Sequence, residues 1–302
     1  MTEVNDEKPM SADQVFHSRS EGIPSEGVKD QYADGKAARA WNKFIGDSNQ
    51  RTQNYKDFLI GLLRKHGCES VLDAACGTGI DSMMLVDEGF KLVSVDASDK
   101  MLKHALKARW EKRKNPKYDE WVIEEANWET LPRDVNSFMP GALFDAVICL
   151  GNSFAHLLDE HEDQRVQKMC LKNFAKCLKP GGLLFIDHRN YDAMIDSGAT
   201  PGHSIYYNCK YPVDIKTSVL VVRGKPKLIA LDYCIDVTED GEASERSEFR
   251  LCYYPHKLAK FTAMLDEAFD HRGKHHIYAD FKPQEEVSVP AFYIHVMEKA
   301  RD

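Results

Sequence analysis

The stretch from residue 71 to residue 79, V-L-D-A-A-C-G-T-G, constrains the fold of this chain more than any other feature. Its first residues are apolar and predict a short buried strand, and a helix with apolar periodicity follows from Asp81. Gly77 and Gly79 allow the backbone between them to pass close to a ligand. A strand, a glycine loop and a helix in this order are typical of the first unit of an open α/β sheet.

The same alternation continues from residue 55 to residue 190 and predicts a parallel sheet with helices on both faces. The predicted helices cover 55–66, 81–88, 98–113 and 162–178; the strands cover 70–74, 91–95, 122–124, 144–150 and 183–187, with a turn at 179–182. Strand patterns at 219–222, 228–237 and 249–254 have no helix between them and predict an antiparallel insert. A helix at 256–269 and strands at 275–281 and 291–297 then resume the first sheet.

These patterns predict a doubly wound, mostly parallel Rossmann-like α/β sheet with a small antiparallel insert and an N-terminal arm. We expect four parts along the chain. They are an arm at 1–50, a ligand-binding Rossmann-like domain at 51–190, the substrate-side insert at 191–254 and a C-terminal completion of the sheet at 255–302.

The composition limits the classes of protein to which this chain can belong. The 302 residues carry a net charge of −8, with 43% apolar and 29% charged residues, which is typical of a soluble globular protein. No apolar run reaches the roughly 18 residues of a membrane span. The eight cysteines contain no C-x-x-C and the twelve histidines no H-E-x-x-H, so we expect reduced thiols, no metal and a cytoplasmic location.

The acidic balance disfavours nucleic acid as a partner, because phosphate binding needs local positive potential. The predicted helix at 99–114 carries seven Lys and Arg residues, which would be the one basic surface. We interpret it as a solvated face, with Leu102, Leu106 and Trp110 buried on the other side.

Charge indicates what the glycine loop binds. Residues 71–90 contain no Lys or Arg but four acids, which suits a cationic ligand better than a pyrophosphate. Asp96 follows Gly79 by 17 residues and ends the second predicted strand. An acid at that position accepts both hydroxyls of a ribose.

At this point the chain resembles the class I S-adenosylmethionine-dependent methyltransferases. The resemblance rests on the glycine loop, Asp96, E-E-A-N-W at 124–128 and L-K-P-G-G at 178–182. It implies S-adenosyl-L-methionine as methyl donor, without a metal, and Gly77 and Asp96 in its site. It also implies that Asn127 meets the purine edge and that Trp128 stacks on the purine.

Further blocks span residues 26 to 298 and make the chain similar to the glycine N-methyltransferases: D-Q-Y-A-D-G at 30–35, I-C-L-G-N-S-F-A-H-L at 148–157, I-D-H-R-N-Y-D at 186–192 and Y-Y-P-H at 253–256. This resemblance implies that glycine is methylated to sarcosine, with S-adenosylhomocysteine as product, in a cytoplasmic homotetramer that regulates the donor/product ratio. Two alternatives stay open: a glycine/sarcosine N-methyltransferase of osmolyte synthesis, and a non-catalytic protein that binds S-adenosylmethionine or folate.

The family resemblance assigns roles around the substrate. Arg189 follows the fifth predicted strand, and its planar guanidinium matches a carboxylate. Asn152 would hold the same substrate by its amide oxygen. The remaining residues near the methionine part of the donor or the reacting centre are Tyr32, Tyr207, Tyr233, Tyr253 and His156.

The rest of the donor pocket also follows from the resemblance: Trp41, Arg51, Ala75 and Leu150, with Arg51 on the methionine carboxylate. The arm would act as a lid, and Glu26 of one subunit would reach a neighbour's site. Folate would bind near the arm and the insert. We expect weak or absent folate inhibition, because Phe16 and Lys227 replace the usual Tyr and His while Arg250 is retained. Phe44 likewise replaces a family Tyr, and we expect it only to pack.

Overall fold

The structure, a computed structural model, describes residues 31, 51–201, 204–208, 213–237 and 245–301. Its helices are α1 (Gln53–Lys65), α2 (Ile80–Asp87), α3 (Asp99–Glu111), α4 (Leu131–Phe138), α5 (Arg165–Lys176), α6 (Tyr191–Ser197) and α7 (Leu258–Ala268). Its strands are β1 (Ser70–Asp73), β2 (Lys91–Asp96), β3 (Val122–Glu125), β4 (Phe144–Cys149), β5 (Leu178–Arg189), β6 (Val213–Val222), β7 (Lys225–Val237), β8 (Glu245–Tyr253), β9 (Lys274–Ala279), β10 (Lys282–Pro283) and β11 (Phe292–Glu298).

The described strands form two sheets. Eight strands lie in the order β10-β9-β11-β5-β4-β1-β2-β3, and the second sheet has the order β6-β7-β8. Strands β3, β2, β1, β4 and β5 are parallel, whereas β11 is antiparallel to both β5 and β9. All pairs in the small sheet are antiparallel. The predicted fold class, a mostly parallel sheet with an antiparallel insert, is confirmed.

Side chains that alternate along the parallel strands enter two different cores. Val71 and Ile148 join an apolar cluster with α1, α2, α3 and the small sheet. Their neighbours Leu72 and Val147 join a second cluster with α5 and α7. Because successive side chains of a strand point to opposite faces, near-continuous apolar strands need helices on both sides.

The burial predicted for helix α3 is partly wrong. Leu102 is buried, but Leu106 and Trp110 are 48% and 67% exposed. Residues four apart advance by about 400° in a helix of 3.6 residues per turn, so this row drifts away from the core. Met101 and Ala105 occupy the buried face instead. The guanidinium of Arg113 covers the Trp110 ring at 4.6 Å.

Residues 179–182, which we expected to be a turn, lie inside β5, and a register shift marks this position in the β4–β5 pair. The seven cysteines within the described ranges are free thiols. In the same ranges, no helix combines the length and apolar character that crossing a bilayer requires.

Candidate active site

A cavity of about 500 Å³ opens where β1, β2, β4 and β5 end, and residues of the loops after these strands line it. This edge is where open α/β sheets bind ligands. The volume lies within the range of small-molecule and cofactor sites. The cavity therefore lies where the sequence places the site.

The loop after β1 needs glycine at position 79 for two reasons. Gly79 has a φ of +83°, which side chains rarely adopt, and a Cβ added there would lie 2.9 Å from Cη2 of Trp121. Gly77, with a φ of +53°, has open space where its Cβ would stand, and it lines the cavity. Gly79 thus lets the loop pack on the core, and Gly77 presents bare backbone to a ligand.

Asp96 ends β2 and faces the cavity. Its Oδ2 accepts the backbone N–H of Gly77 at 2.9 Å, and its Oδ1 accepts that of Ser98 at 2.9 Å. Each carboxylate oxygen can accept a further hydrogen bond. The carboxylate is therefore fixed by two loops at the cavity, and its binding of ribose hydroxyls stays a prediction.

Asn127 and Trp128, expected to bind adenine, follow β3 and line the cavity. The indole N–H of Trp128 donates to the Ala74 carbonyl at 2.6 Å, and its ring packs 5.7 Å from that of Phe154. Asn127 Oδ1 accepts the Glu129 N–H at 2.9 Å. The Asn127 amide oxygen is thus used in a turn, so its amino group is the better candidate for a purine acceptor.

Arg51 lies buried against the start of α2. Its Nε is 2.7 Å from Oδ1 of Asp81, and its guanidinium lies 5.8 Å from the Tyr207 ring centroid. Near it, Asp73 accepts the hydroxyl of Ser82 at 2.6 Å. Burial raises the pKa of Asp73 to about 7. The acids that the sequence places by this loop are therefore partly neutralised, by an ion pair at Asp81 and by proton uptake at Asp73.

Arg189 is the cationic side chain at the end of β5. It is buried and lines the cavity. Its Nη2 lies 3.5 Å from the Tyr233 hydroxyl, and its guanidinium lies 4.9 Å from the Phe292 ring centroid. Its Nε is buried and has no hydrogen-bond partner among the described residues. A buried cation with an unused donor is suited to an anionic group of a ligand.

Asn152 lies behind Arg189 and is absent from the cavity wall. Its Oδ1 accepts the backbone N–H of Arg189 at 3.0 Å and the Tyr191 hydroxyl at 2.9 Å. Its own N–H donates to Asp187 at 2.8 Å. The amide oxygen expected to hold the substrate is thus saturated by the protein, since a carbonyl oxygen has two lone pairs.

Asp187 connects this loop to a further segment. Its Oδ2 accepts the Tyr206 hydroxyl at 2.5 Å, and Tyr206 precedes the cavity residue Tyr207. Burial raises the pKa of Asp187 to about 7. Asp187 therefore holds together Asn152 and the tyrosine pair at 206–207.

Tyr253 and His156 form another part of the cavity wall. Their rings lie 4.7 Å apart, and the Tyr253 hydroxyl is 3.5 Å from that of Tyr233. Burial lowers the pKa of His156 to about 4, so its imidazole is neutral at physiological pH. Gln31 lies 3.2 Å from His156 Nδ1 and also lines the cavity.

Most predicted site residues within the described ranges meet at this one cavity: Arg51, Ala75, Gly77, Asp96, Asn127, Trp128, Leu150, His156, Arg189, Tyr207 and Tyr253. Asn152 and Tyr233 do not line the cavity but contact Arg189. Glu26, Tyr32 and Trp41, like Phe16 and Phe44, lie outside the described residues. Sequence reasoning missed Gln31, Tyr206, Asp187 and Phe292; only the first and third stand in blocks that the family resemblance singled out.

No cluster of three or more metal-ligating side chains occurs in the part of the chain that the structure describes. The site instead offers a fixed carboxylate, a bare glycine loop, an aromatic face and a buried guanidinium. These groups suit an organic ligand with a ribose, a flat ring and a nearby carboxylate.

The fold and this site define a class I methyltransferase. Residues 71–182 match the family model of the methyltransferase domain. An S-adenosylmethionine-dependent methyltransferase from Clostridium acetobutylicum superposes with a TM-score of 0.63 over 88% of this chain and 99% of its own, at 17% identity. That likeness shows a shared fold.

Relatives of higher identity define the family. The rat glycine N-methyltransferase is 55% identical over 292 residues, covering 95% of this chain and 99% of the relative, and the human one is 53% identical over the same shares. A glycine/sarcosine N-methyltransferase from Halorhodospira halochloris is 33% identical over 89% of each chain. The chain belongs to the glycine N-methyltransferase family.

Proposed function

We propose that this protein transfers the methyl group of S-adenosyl-L-methionine to the amine of glycine, forming sarcosine and S-adenosylhomocysteine. The observation that carries the proposal is the buried cation Arg189, which lines the same cavity as Asp96. A guanidinium of this kind selects a small substrate with a carboxylate. Identity of 53–55% to glycine N-methyltransferases over nearly the whole chain supports the same substrate.

The donor side of the cavity fits S-adenosylmethionine. Asp96 would accept the ribose hydroxyls, Gly77 would lie against the donor backbone, and Trp128, Leu150 and Ala75 would enclose the purine. Bound there, the donor supplies an electrophilic methyl group on a sulfonium. Its positive charge suits a cavity whose wall includes Asp81, Asp96 and Glu129.

The protein's own contribution is alignment. Arg189 would bind the glycine carboxylate and so place the amine in line with the sulfur–methyl bond, which converts a bimolecular displacement into an intramolecular one. Tyr207 and Tyr253 would place phenol oxygens and ring faces near the sulfonium. Burial raises the pKa of Tyr207, so its phenol stays protonated and does not compete as a nucleophile.

Incubation with labelled donor and a panel of small amines, followed by mass analysis, tests this function. Sarcosine as the sole product from glycine supports it. Further conversion to dimethylglycine would favour the glycine/sarcosine class, of which a relative is 33% identical. Heat of donor binding without turnover would favour the non-catalytic alternative.

The finer parts of the proposal are a cytoplasmic homotetramer, control of the donor/product ratio, and weak or absent folate inhibition. Lys227 and Arg250, which the folate argument concerns, are engaged in ion pairs with Glu162 at 2.9 Å and with Asp232 at 2.9 Å. Light scattering coupled to gel filtration tests the tetramer, and rates with added folate test the inhibition.

A further inference from the structure

One side chain from the N-terminal part of the chain occupies the edge of the small sheet. The Oε1 of Gln31 accepts the backbone N–H of Cys252 at 2.5 Å, and its Nε2 donates to the carbonyl of the same residue at 2.8 Å. Strand β8 is one of the two edge strands of the β6-β7-β8 sheet in the part of the chain that the structure describes. The Gln31 amide thus satisfies both backbone groups of Cys252 as a neighbouring strand would.

The residues around this contact belong to the cavity. Cys252 directly precedes Tyr253, whose hydroxyl lies 3.5 Å from that of Tyr233. Gln31 Nε2 is also 3.2 Å from Nδ1 of His156, whose ring lies against that of Tyr253. The Tyr233 hydroxyl in turn lies 3.5 Å from Arg189 Nη2. The Gln31 amide is therefore linked to Arg189, the residue proposed to bind the glycine carboxylate. The link runs through the end of β8 and the side chains of Tyr253 and Tyr233.

We propose that Gln31 is a positioning residue for the methyl-transfer site. Its amide fixes the end of β8 and the ring of His156, and through them the phenol of Tyr253 beside Arg189. The inference rests on the proposed function, because it concerns the geometry of that reaction. It requires no contact between Gln31 and either substrate.

The chemistry of the amide makes this role testable. The backbone of Cys252 presents one hydrogen-bond donor and one acceptor, and a side-chain amide can pair with both. In Gln31→Glu, an ionised carboxylate still accepts the Cys252 N–H but places an oxygen against the Cys252 carbonyl. Protonation of that carboxyl restores a donor. Among the described residues, the titratable groups next to it are His156, Cys252 and Tyr253, and Glu160 and His161 stand elsewhere in the cavity wall.

The experiment compares wild type, Gln31→Glu, Gln31→Ala and the control Gln284→Glu by kcat/KM for glycine between pH 6 and pH 9. Gln284 is exposed on a short helix after β10, so its variant adds the same charge away from the cavity. Dividing each rate by that of wild type removes the titration of glycine itself. Thermal melting checks that each variant is folded.

We expect Gln31→Glu to lose about tenfold at pH 9, which is typical of a buried hydrogen bond replaced by repulsion, and to recover at least threefold relative to wild type by pH 6. Gln31→Ala should lose activity equally at every pH, and Gln284→Glu should match wild type. A Gln31→Glu variant that matches the control, or whose loss does not change with pH, overturns the inference while glycine turnover stands. Absence of turnover in wild type overturns the proposed function itself, and the inference with it.

Discussion

The side-chain oxygen of Asn152 accepts the backbone N–H of Arg189 at 3.0 Å, which ties the loop after β4 to the end of β5. The Tyr191 hydroxyl completes the coordination of that oxygen at 2.9 Å. Asn152 therefore fixes the main chain from which the Arg189 side chain extends. The guanidinium, rather than the asparagine oxygen, is the group left to meet a ligand.

Arg189→Lys keeps the positive charge but loses the planar pair of donors. We expect kcat/KM for glycine to fall by the equivalent of about 1.5–5 kcal/mol, as one or two charged hydrogen bonds are lost. Donor affinity should change far less, because Asp96 and Gly77 remain. Methylamine, which lacks the carboxylate, serves as the control substrate in both proteins. Equal losses for glycine and methylamine would contradict the carboxylate clamp.

Asp96→Ala removes the carboxylate proposed to accept the ribose hydroxyls. Charged hydrogen bonds contribute about 1.5–3 kcal/mol each, so donor affinity measured by calorimetry should weaken at least about tenfold. Asp99→Ala is the matched control, because Asp99 lies three residues further on, is exposed and pairs with Lys103. Unchanged donor affinity in a folded Asp96→Ala protein would remove the ribose assignment.

The rate should rise towards alkaline pH. The attacking amine must be neutral, and His156, whose pKa is lowered to about 4 by burial, is too weak a base to deprotonate an ammonium. With saturating donor, kcat/KM for glycine should increase about tenfold per pH unit while most of the amine is protonated. A maximum near pH 6 would contradict this and point to a further acid catalyst in the site.

Acid should destabilise the fold. Burial lowers the pKa values of five histidines: His156, His188 and His275 to about 4, and His256 and His295 well below the usual value. Their stabilisation is present above about pH 6.5 and is lost as pH falls towards 4, because the unfolded chain takes up the protons. The pKa values of Asp73 and Asp187, raised to about 7, act in the opposite direction, because these two acids take up protons more readily in the folded protein. Five histidines outweigh two acids, so the net effect of acid is a loss of stability.

His256→Phe tests this origin. His256 is buried beside Phe154 and Phe261, and neither ring nitrogen has a hydrogen-bond partner among the described residues. Urea unfolding between pH 7 and pH 5 should show stability falling with pH in wild type. The slope should be smaller in the variant by about 1.4 kcal/mol per pH unit near pH 5, the value for one proton. An unchanged slope would mean that other groups dominate.

Gly79→Ala and Gly61→Ala form a matched pair. The first forces a Cβ to within 2.9 Å of Trp121 at a φ of +83°, and such overpacking costs about 1–3 kcal/mol before backbone strain is added. The second adds a methyl group to open space on helix α1 and should stabilise by up to about 1 kcal/mol. Thermal melting should separate the two in opposite directions. A Gly79→Ala protein as stable as wild type would show that Trp121 can move.

The spacing of apolar residues predicted those helices and strands in which such residues form a continuous run or recur at a regular period. Strands β1, β2, β4 and β11 were predicted within one or two residues because most of their residues are buried and form short apolar runs. Helices α4 and α6 and strand β10 were not predicted, since they are only eight, seven and two residues long. The burial of Leu106 and Trp110 was predicted wrongly because a four-residue spacing only approximates the helical period.

The sequence alone determined the order of most of the elements, the glycine loop, the position of Asp96 at a strand end and the family resemblance that singled out Arg189. These are properties of spacing and residue type, which the chain carries before it folds. Only the tertiary structure decided which polar atoms form hydrogen bonds and ion pairs with one another. It assigned the Asn152 oxygen to the main chain of Arg189, paired Arg51 with Asp81 and brought Gln31 to Cys252, 221 residues away. A hydrogen bond depends on the distance and direction between two groups, and for residues far apart in sequence packing alone sets these.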